Sequence, residues 1–263
     1  MQRMTYKDRA SWYTQETTSV EQNEFLKRIL EIYQLKYPII IPCSSGKNLE
    51  TLSQSSVSVI GYDIDKAMLA MAKEEVVEKG LSNCKVDFGD LLGFYIPHYA
   101  DSVLILNEAI QLFRTKQEAH RKILVNILCK LNGILILETF DYKNTITKER
   151  LRYYCGRELN RIVKDYEIVK DDTSINRYHQ ALLTKDGVII KYFYLFKDMW
   201  TGQRNWKKSE VELFFFDEDE LRQIVEENGG RIETVFSSYT MSLIEDSAKR
   251  IYIIRCLGGE KHD

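Results

Sequence analysis

Pro38-Ile39-Ile40-Ile41-Pro42-Cys43-Ser44-Ser45-Gly46 begins as a run of isoleucines and breaks abruptly into proline and small residues. A short, continuously apolar run bounded by turn residues predicts a strand buried on both faces. Leu49 and Leu52 predict a helix directly after the loop. A strand, a loop of small residues and a helix, in that order, form the opening unit of a parallel α/β sheet.

The pattern repeats on either side of this unit. Upstream, Thr18 and Ser19 precede Glu21 and Gln22 as a capping box, and Phe25, Leu26, Ile29, Leu30 and Tyr33 recur at helical spacing, predicting a helix near residues 20–34. Downstream, residues 57–62 predict a strand ending at Asp63, and Asp65 caps a helix that Gly80 stops. Residues 85–88 and 102–106 predict two more strands, residues 116–131 a helix with Ile123, Leu124, Ile127, Leu128 and Leu131 inward, and Ile134-Leu135-Ile136-Leu137 the fifth strand. Alternation of this kind predicts right-handed crossovers and a doubly wound, Rossmann-like sheet.

The second half has a different texture. Residues 146–166, rich in charges and tyrosines, read as helical. Residues 174–184 and 188–197 read as strands joined at Lys185-Asp186-Gly187, Asp-Gly being a favoured hairpin turn. A third strand is predicted at 211–216, a helix capped by Asp217 and Glu220 and ended by Asn228-Gly229-Gly230, and two closing strands at about 231–238 and 250–256. The predicted fold class is thus α/β: a seven-stranded Rossmann-like sheet with an antiparallel β lid inserted after the fifth strand. The predicted organisation is an N-terminal cap helix (1–34), the sheet domain (35–145 and 210–258) and a helical and antiparallel insertion (146–209).

Bulk composition narrows the function classes. The 263 residues carry 37 basic and 39 acidic side chains, a net charge of −2. Nucleic-acid binders draw most of their affinity from phosphate contacts and usually show a basic excess, so no nucleic-acid partner is expected. No apolar run approaches the roughly 20 residues of a membrane span. The polar residues 1–13 do not read as a secretory signal. Five widely spaced cysteines form no CxxC pair, which predicts reduced thiols, no metal site and a cytoplasmic protein.

In open α/β sheets, ligands bind beyond the carboxyl ends of the strands, where strand order reverses. That places the loop 42–46, Asp63, Asp90 and Asn107-Glu108 at the site. Small Ser44, Ser45 and Gly46 let backbone approach a ligand. An acid ending the second strand can accept hydrogen bonds from both ribose hydroxyls, and Asp63 lies 17 residues after Gly46. Asp90 has two readings, an adenine contact and a cap on the turn at Leu91-Leu92. Cys43 reads as a small packing residue whose backbone meets the ligand.

Together these motifs resemble the class I S-adenosylmethionine-dependent methyltransferases. Ile41-Pro42-Cys43-Ser44-Ser45-Gly46-Lys47-Asn48-Leu49 is similar to their glycine-rich first motif, residues 59–69 with Asp63 to the ribose-binding second, and Val86-Asp87-Phe88-Gly89-Asp90-Leu91 to the adenine-contacting third. Leu131-Asn132-Gly133 resembles the usual approach to the fifth strand. The lid, and the helix after Phe214-Phe215-Phe216-Asp217, resemble the subgroup acting on small molecules, which includes amino-sugar N-methyltransferases. Three positions depart from the family: Ile40 stands where an acid is usual, and Pro42 and Ser44 where the first two loop glycines are.

The resemblance implies S-adenosyl-L-methionine as cofactor, S-adenosyl-L-homocysteine as product and a small-molecule methyl acceptor. It implies cofactor contacts from Pro42, Cys43, Ser44, Gly46, Asp63, Ile64, Met68, Asp90, Leu91 and Asn107. The candidate catalytic residues are Glu108, which could orient or deprotonate an amine, the lid residue His179 as a general base, and Tyr13, whose counterpart tends to close over cofactor and substrate. The competing readings are a structural Glu108 and a solvent-facing His179. Among acceptor atoms nitrogen ranks before oxygen and carbon, since an amine need only be held neutral whereas a hydroxyl needs a better base; the Asn/Asp-Pro-Pro-aromatic pattern is absent after the fourth strand, which argues against base or glutamine methylation. A homodimer through the antiparallel layer follows by analogy alone. A repurposed fold that binds without catalysis, or a protein or RNA methyltransferase, are the alternatives.

Overall fold

The computed structural model describes residues 2–5, 19–112, 116–140, 162–185, 187–214, 216–242 and 249–258. Two sheets organise them. The larger contains β2 (Pro38–Ile40), β3 (Val59–Asp63), β4 (Cys84–Phe88), β5 (Ser102–Ile105), β6 (Asn132–Phe140), β11 (Arg231–Phe236) and β12 (Lys249–Leu257), in the spatial order β11-β12-β6-β5-β2-β3-β4. The first five pair in parallel, and β12 lies antiparallel between β6 and β11. Strand order reverses between β2 and β5, which makes their carboxyl ends the switch point. The predicted seven-stranded Rossmann-like sheet is the observed one.

Burial on both faces explains the apolar strands. Ile39, Val103, Leu104, Leu135 and Ile136 are wholly buried. One core packs α4 (Lys116–Lys130) and α5 (Glu218–Glu227) on one face; the other packs α1 (Val20–Tyr33), α2 (Leu49–Ser55) and α3 (Lys66–Glu78) on the opposite face. Each buried aliphatic side chain contributes about 1.5–3 kcal/mol. The caps foreseen in the sequence form. The Gln22 amide donates to Ser19 Oγ at 3.2 Å, those of Ala67 and Met68 to Asp65 Oδ1 at 2.8 and 3.0 Å, and that of Asp219 to Asp217 Oδ1 at 2.8 Å.

The second sheet contains β1 (Gln2–Arg3), β7 (Val163–Lys170), β8 (Thr173–Leu183), β9 (Gly187–Asp198) and β10 (Arg204–Phe214), in the order β1-β10-β9-β8-β7. It is antiparallel apart from the short β1–β10 pairing. Three sequence readings are corrected here. Residues 163–166 are strand rather than the end of a helix, because pairing with β8 satisfies their backbone. The strand predicted at 211–216 begins earlier, since residues 204–208 are the first half of β10, and that strand crosses the boundary expected at 209–210. The N-terminal segment, read only as a cap, also supplies an edge strand. Tyr13, Cys155, Asp186 and the rest of the helix read at 146–166 lie outside the described residues.

Gln111 fastens the sheets together. It sits fully buried in the 3-10 turn Ala109–Leu112, accepts from the Phe140 amide at 2.6 Å and donates to the Phe214 carbonyl at 3.1 Å. One side chain therefore links the ends of β6 and β10 and sets one face of the second sheet over the carboxyl ends of the first.

Candidate active site

The loop after β2 turns on two left-handed residues, Ser44 (φ 51°) and Gly46 (φ 87°). A Cβ on Gly46 would come within 3.1 Å of the Ala72 backbone, so this glycine is required for conformation and for space. The loop is tied to the end of β3. The Ser44 amide donates to Asp63 Oδ2 and the Asp65 amide to Asp63 Oδ1, each at 2.8 Å. Asp63 is buried. Desolvation raises its pKa, and the two amides pull it back only in part. Each oxygen accepts one backbone bond, which leaves acceptor capacity on both. Asp90 forms the turn cap read in the sequence, accepting from the Leu92 amide at 2.9 Å. It lines the same cavity as Asp63, so the two readings of Asp90 are compatible.

That cavity measures 640 Å³, within the usual range for small-molecule sites. Asp63, Asp90, the apolar Ile64, Met68 and Leu91, and Pro42, Ser44, Lys47, Asn107 and Glu108 line it. Of the cofactor contacts read from sequence, only Cys43 and Gly46 are absent from its wall. Cys43 is buried, burial raises its thiol pKa, and it packs where a Cβ on Gly61 would come within 3.0 Å of it. Gly46 shapes the loop from behind.

A second cavity, of 380 Å³, opens beside the first under the antiparallel sheet. Glu108, Arg177, Ile190, Tyr192 and Leu213 line both. His179, Asp165 and Phe140 belong to the smaller one alone. Strand alternation explains the selection: Arg177, His179 and Ala181 of β8, Val188, Ile190 and Tyr192 of β9, and Leu213 of β10 share one face, with His179 opposite Tyr192 and Ala181 opposite Ile190. Glu108 and His179, 71 positions apart in the chain, thus meet in one pocket. Tyr178, one position from His179, points to the other face, where its ring meets Trp206 at 5.8 Å.

Asn107 and Glu108 both adopt φ 54°, an uncommon conformation for residues with side chains. A buried carboxylate on β6 holds them. Glu138, wholly buried, accepts from the Asn107 amide at 3.0 Å, from the Tyr239 hydroxyl at 2.8 Å and from Gln22 Nε2 at 3.5 Å, and it pairs with Lys249 Nζ at 2.6 Å. Burial and the neighbouring Glu138 carboxylate push the Glu108 carboxyl up to about 7, against the opposing charges of Lys249 and Lys47. The Lys47 amine is lowered by burial and raised again by Glu138 and Glu108.

Sequence reading gave no site role to Lys47, Tyr239, Lys249 or Glu138, and it placed Gln22 only in a helix cap. One signal was present: an acid closing an otherwise unbroken apolar strand must find partners, because an unpaired buried charge is costly. Asp165, Arg177 and Tyr192 were also missed as pocket residues.

No family model and no curated protein matches the chain. Solved structures do. The amino pentose methyltransferase CalS10 from Micromonospora echinaspora, of calicheamicin biosynthesis and solved with its cofactor bound, superposes with a TM-score of 0.73 at 15% identity over 97% of this chain and 99% of that one. An S-adenosylmethionine-dependent methyltransferase from Clostridium acetobutylicum gives 0.72 at 14% identity over 95% and 96%. The sugar N-methyltransferase KedS8 from a Streptoalloteichus species gives 0.71 at 15% identity over 96% and 94%. With its strand order, its switch-point cavity and the antiparallel sheet over that cavity, the chain has the class I, Rossmann-like methyltransferase fold.

Proposed function

We propose that this protein transfers a methyl group from S-adenosyl-L-methionine to a small molecule, with nitrogen as the preferred acceptor atom. The observation that carries the reading is the pair of cavities joined at Glu108: one has the acceptor carboxylates suited to a nucleoside, Asp63 and Asp90, and the other is a smaller, mainly apolar chamber that shares a wall with it. The residues present suit the cofactor. Asp63 keeps acceptor capacity for ribose hydroxyls, Asp90 suits an adenine amino group, and Ile64, Met68 and Leu91 provide apolar surface for the base. Ile40 removes the acid usual before the loop. Lys47, Asn107 and Glu108 provide polar groups in the cavity wall instead.

Bound S-adenosylmethionine supplies a methyl group already activated on a sulfonium. The chain's own residues then have to align an acceptor, exclude water and take up one proton. Tyr192, Ile190 and Leu213 form the wall common to both cavities and orient an acceptor toward Glu108. The antiparallel sheet covers the chamber and limits solvent.

Calorimetric titration of S-adenosylmethionine and S-adenosylhomocysteine tests the reading. Micromolar binding by the protein, lost in Asp63→Ala, is the expected result. Folded protein that binds neither ligand would overturn it in favour of a repurposed fold, and Pro42 and Ser44 would then mark the loss.

A further inference from the structure

We propose that His179 is the base that takes the acceptor's proton and that Asp165 is its positioning residue; this rests on the methyl-transfer reading above. The pairing of β7 with β8 contains a bulge. Along β7 and β8, Val163 lies opposite His179 and Lys164 opposite Tyr178, but the next pair is Tyr166 with Arg177. Asp165 is the extra residue. A bulge of this kind breaks the two-residue alternation and re-aims one side chain. Asp165 as a whole is exposed, yet its side chain keeps only 15% of its accessible surface, so its backbone faces solvent while its carboxylate turns into the pocket.

Both oxygens of that carboxylate are committed. Oδ2 accepts from Arg177 Nε at 2.6 Å, and Oδ1 meets His179 Nδ1. Arg177 is fixed in turn, its guanidinium lying 4.5 Å from the Tyr166 ring centre and 5.0 Å from that of Tyr192. A carboxylate at Nδ1 selects the imidazole tautomer with its proton on Nδ1 and makes Nε2 the basic nitrogen. Among the described residues lining this pocket, the titratable or charged groups around His179 are Asp165 from β7, Arg177 from β8, Tyr192 from β9 and Glu108 from the turn after β5.

The step balances within the pocket. An acceptor amine enters as an ammonium ion, one N–H bond breaks, an Nε2–H bond forms, and the nitrogen keeps the electron pair it needs as a nucleophile. The chemistry selects an aliphatic amine. An ammonium N–H titrates near 10 and can pass its proton to an imidazole nitrogen, whereas an aliphatic hydroxyl is far less acidic.

Nitrogen-15 NMR of histidine-labelled protein tests this without requiring turnover. The His179 signal is identified by its disappearance in His179→Gln. In neutral imidazole the expected proton is on Nδ1, and Asp165→Asn, which preserves size and the Arg177 contact, moves it to Nε2. Cyclohexylammonium chloride, added as a probe amine in the presence of S-adenosylhomocysteine, is expected to shift the wild-type Nε2 resonance and to leave it unmoved when cyclohexanol replaces it. An Nε2–H tautomer in the wild type, or an Nε2 resonance indifferent to the amine, would overturn the proposal. Absence of S-adenosylhomocysteine binding by calorimetry would defeat the methyl-transfer reading instead, and the tautomer measurement separates the two failures.

Discussion

Glu108 concentrates the electrostatics of the site into one side chain. Its carboxyl titrates near 7 in the fold, against an ordinary value of 4.5. Between these values the folded state holds a proton that the unfolded chain has released. Its contribution to stability is therefore complete below about pH 4.5, falls as pH rises toward 7, and is gone above. Thermal unfolding of the protein and of Glu108→Gln across pH 4–8 should show it: relative to the variant, the wild type loses stability over that window and then runs parallel. Equal pH dependence would mean that Glu108 titrates normally. At the same scale, Asp63 was legible from its place after a strand, while its bond to the Ser44 amide was not, since sequence gives a strand's end but not the path of the loop beside it.

Helix caps are local, and they were read correctly because a cap lies within three residues of the amides it satisfies. Asp217 shows the consequence. Its carboxylate accepts from the Asp219 amide at the start of α5, and α5 buries Leu221, Ile224 and Val225. Asp217→Ala should cost about 1 kcal/mol, read as a lower urea midpoint, with S-adenosylhomocysteine affinity unchanged because α5 does not line either cavity. The strand β7 shows the opposite case. Residues 163–166 lack clear alternation and read as the end of a helix, and the bulge at Asp165 is itself the reason the alternation fails. Pairing with β8 decided the conformation, a choice that neither strand encodes alone.

Glu138 ties together elements that lie far apart in the sequence. It receives donors from α1, from the turn after β5, from the loop after β11 and from β12. Removing it leaves Lys249 without its buried counter-charge and the left-handed Asn107 without its anchor. Glu138→Ala should destabilise the protein by about 3–5 kcal/mol, measured by urea unfolding, and should raise amide hydrogen exchange in α1 more than in α5. Glu138→Gln, which can still accept from Asn107 and Tyr239, should cost less. Equal exchange in the two helices would show that Glu138 does not anchor the N-terminal helix to the sheet.

The parallel sheet, the helices that cover it, and the positions of Asp63, Asp90 and Asn107-Glu108 at its carboxyl edge are legible in the residues alone. Each follows from periodicity or capping, interactions that act over a few residues and so leave a local trace. Long-range packing brings Glu108 and His179 into one pocket, turns Asp165 inward to meet the imidazole, and lets Glu138 gather Gln22, Tyr239 and Lys249 around Asn107. Those contacts depend on the register between β7 and β8 and on the docking of one sheet over the other through Gln111. Register and docking minimise the free energy of the whole chain, so no short stretch of residues carries them.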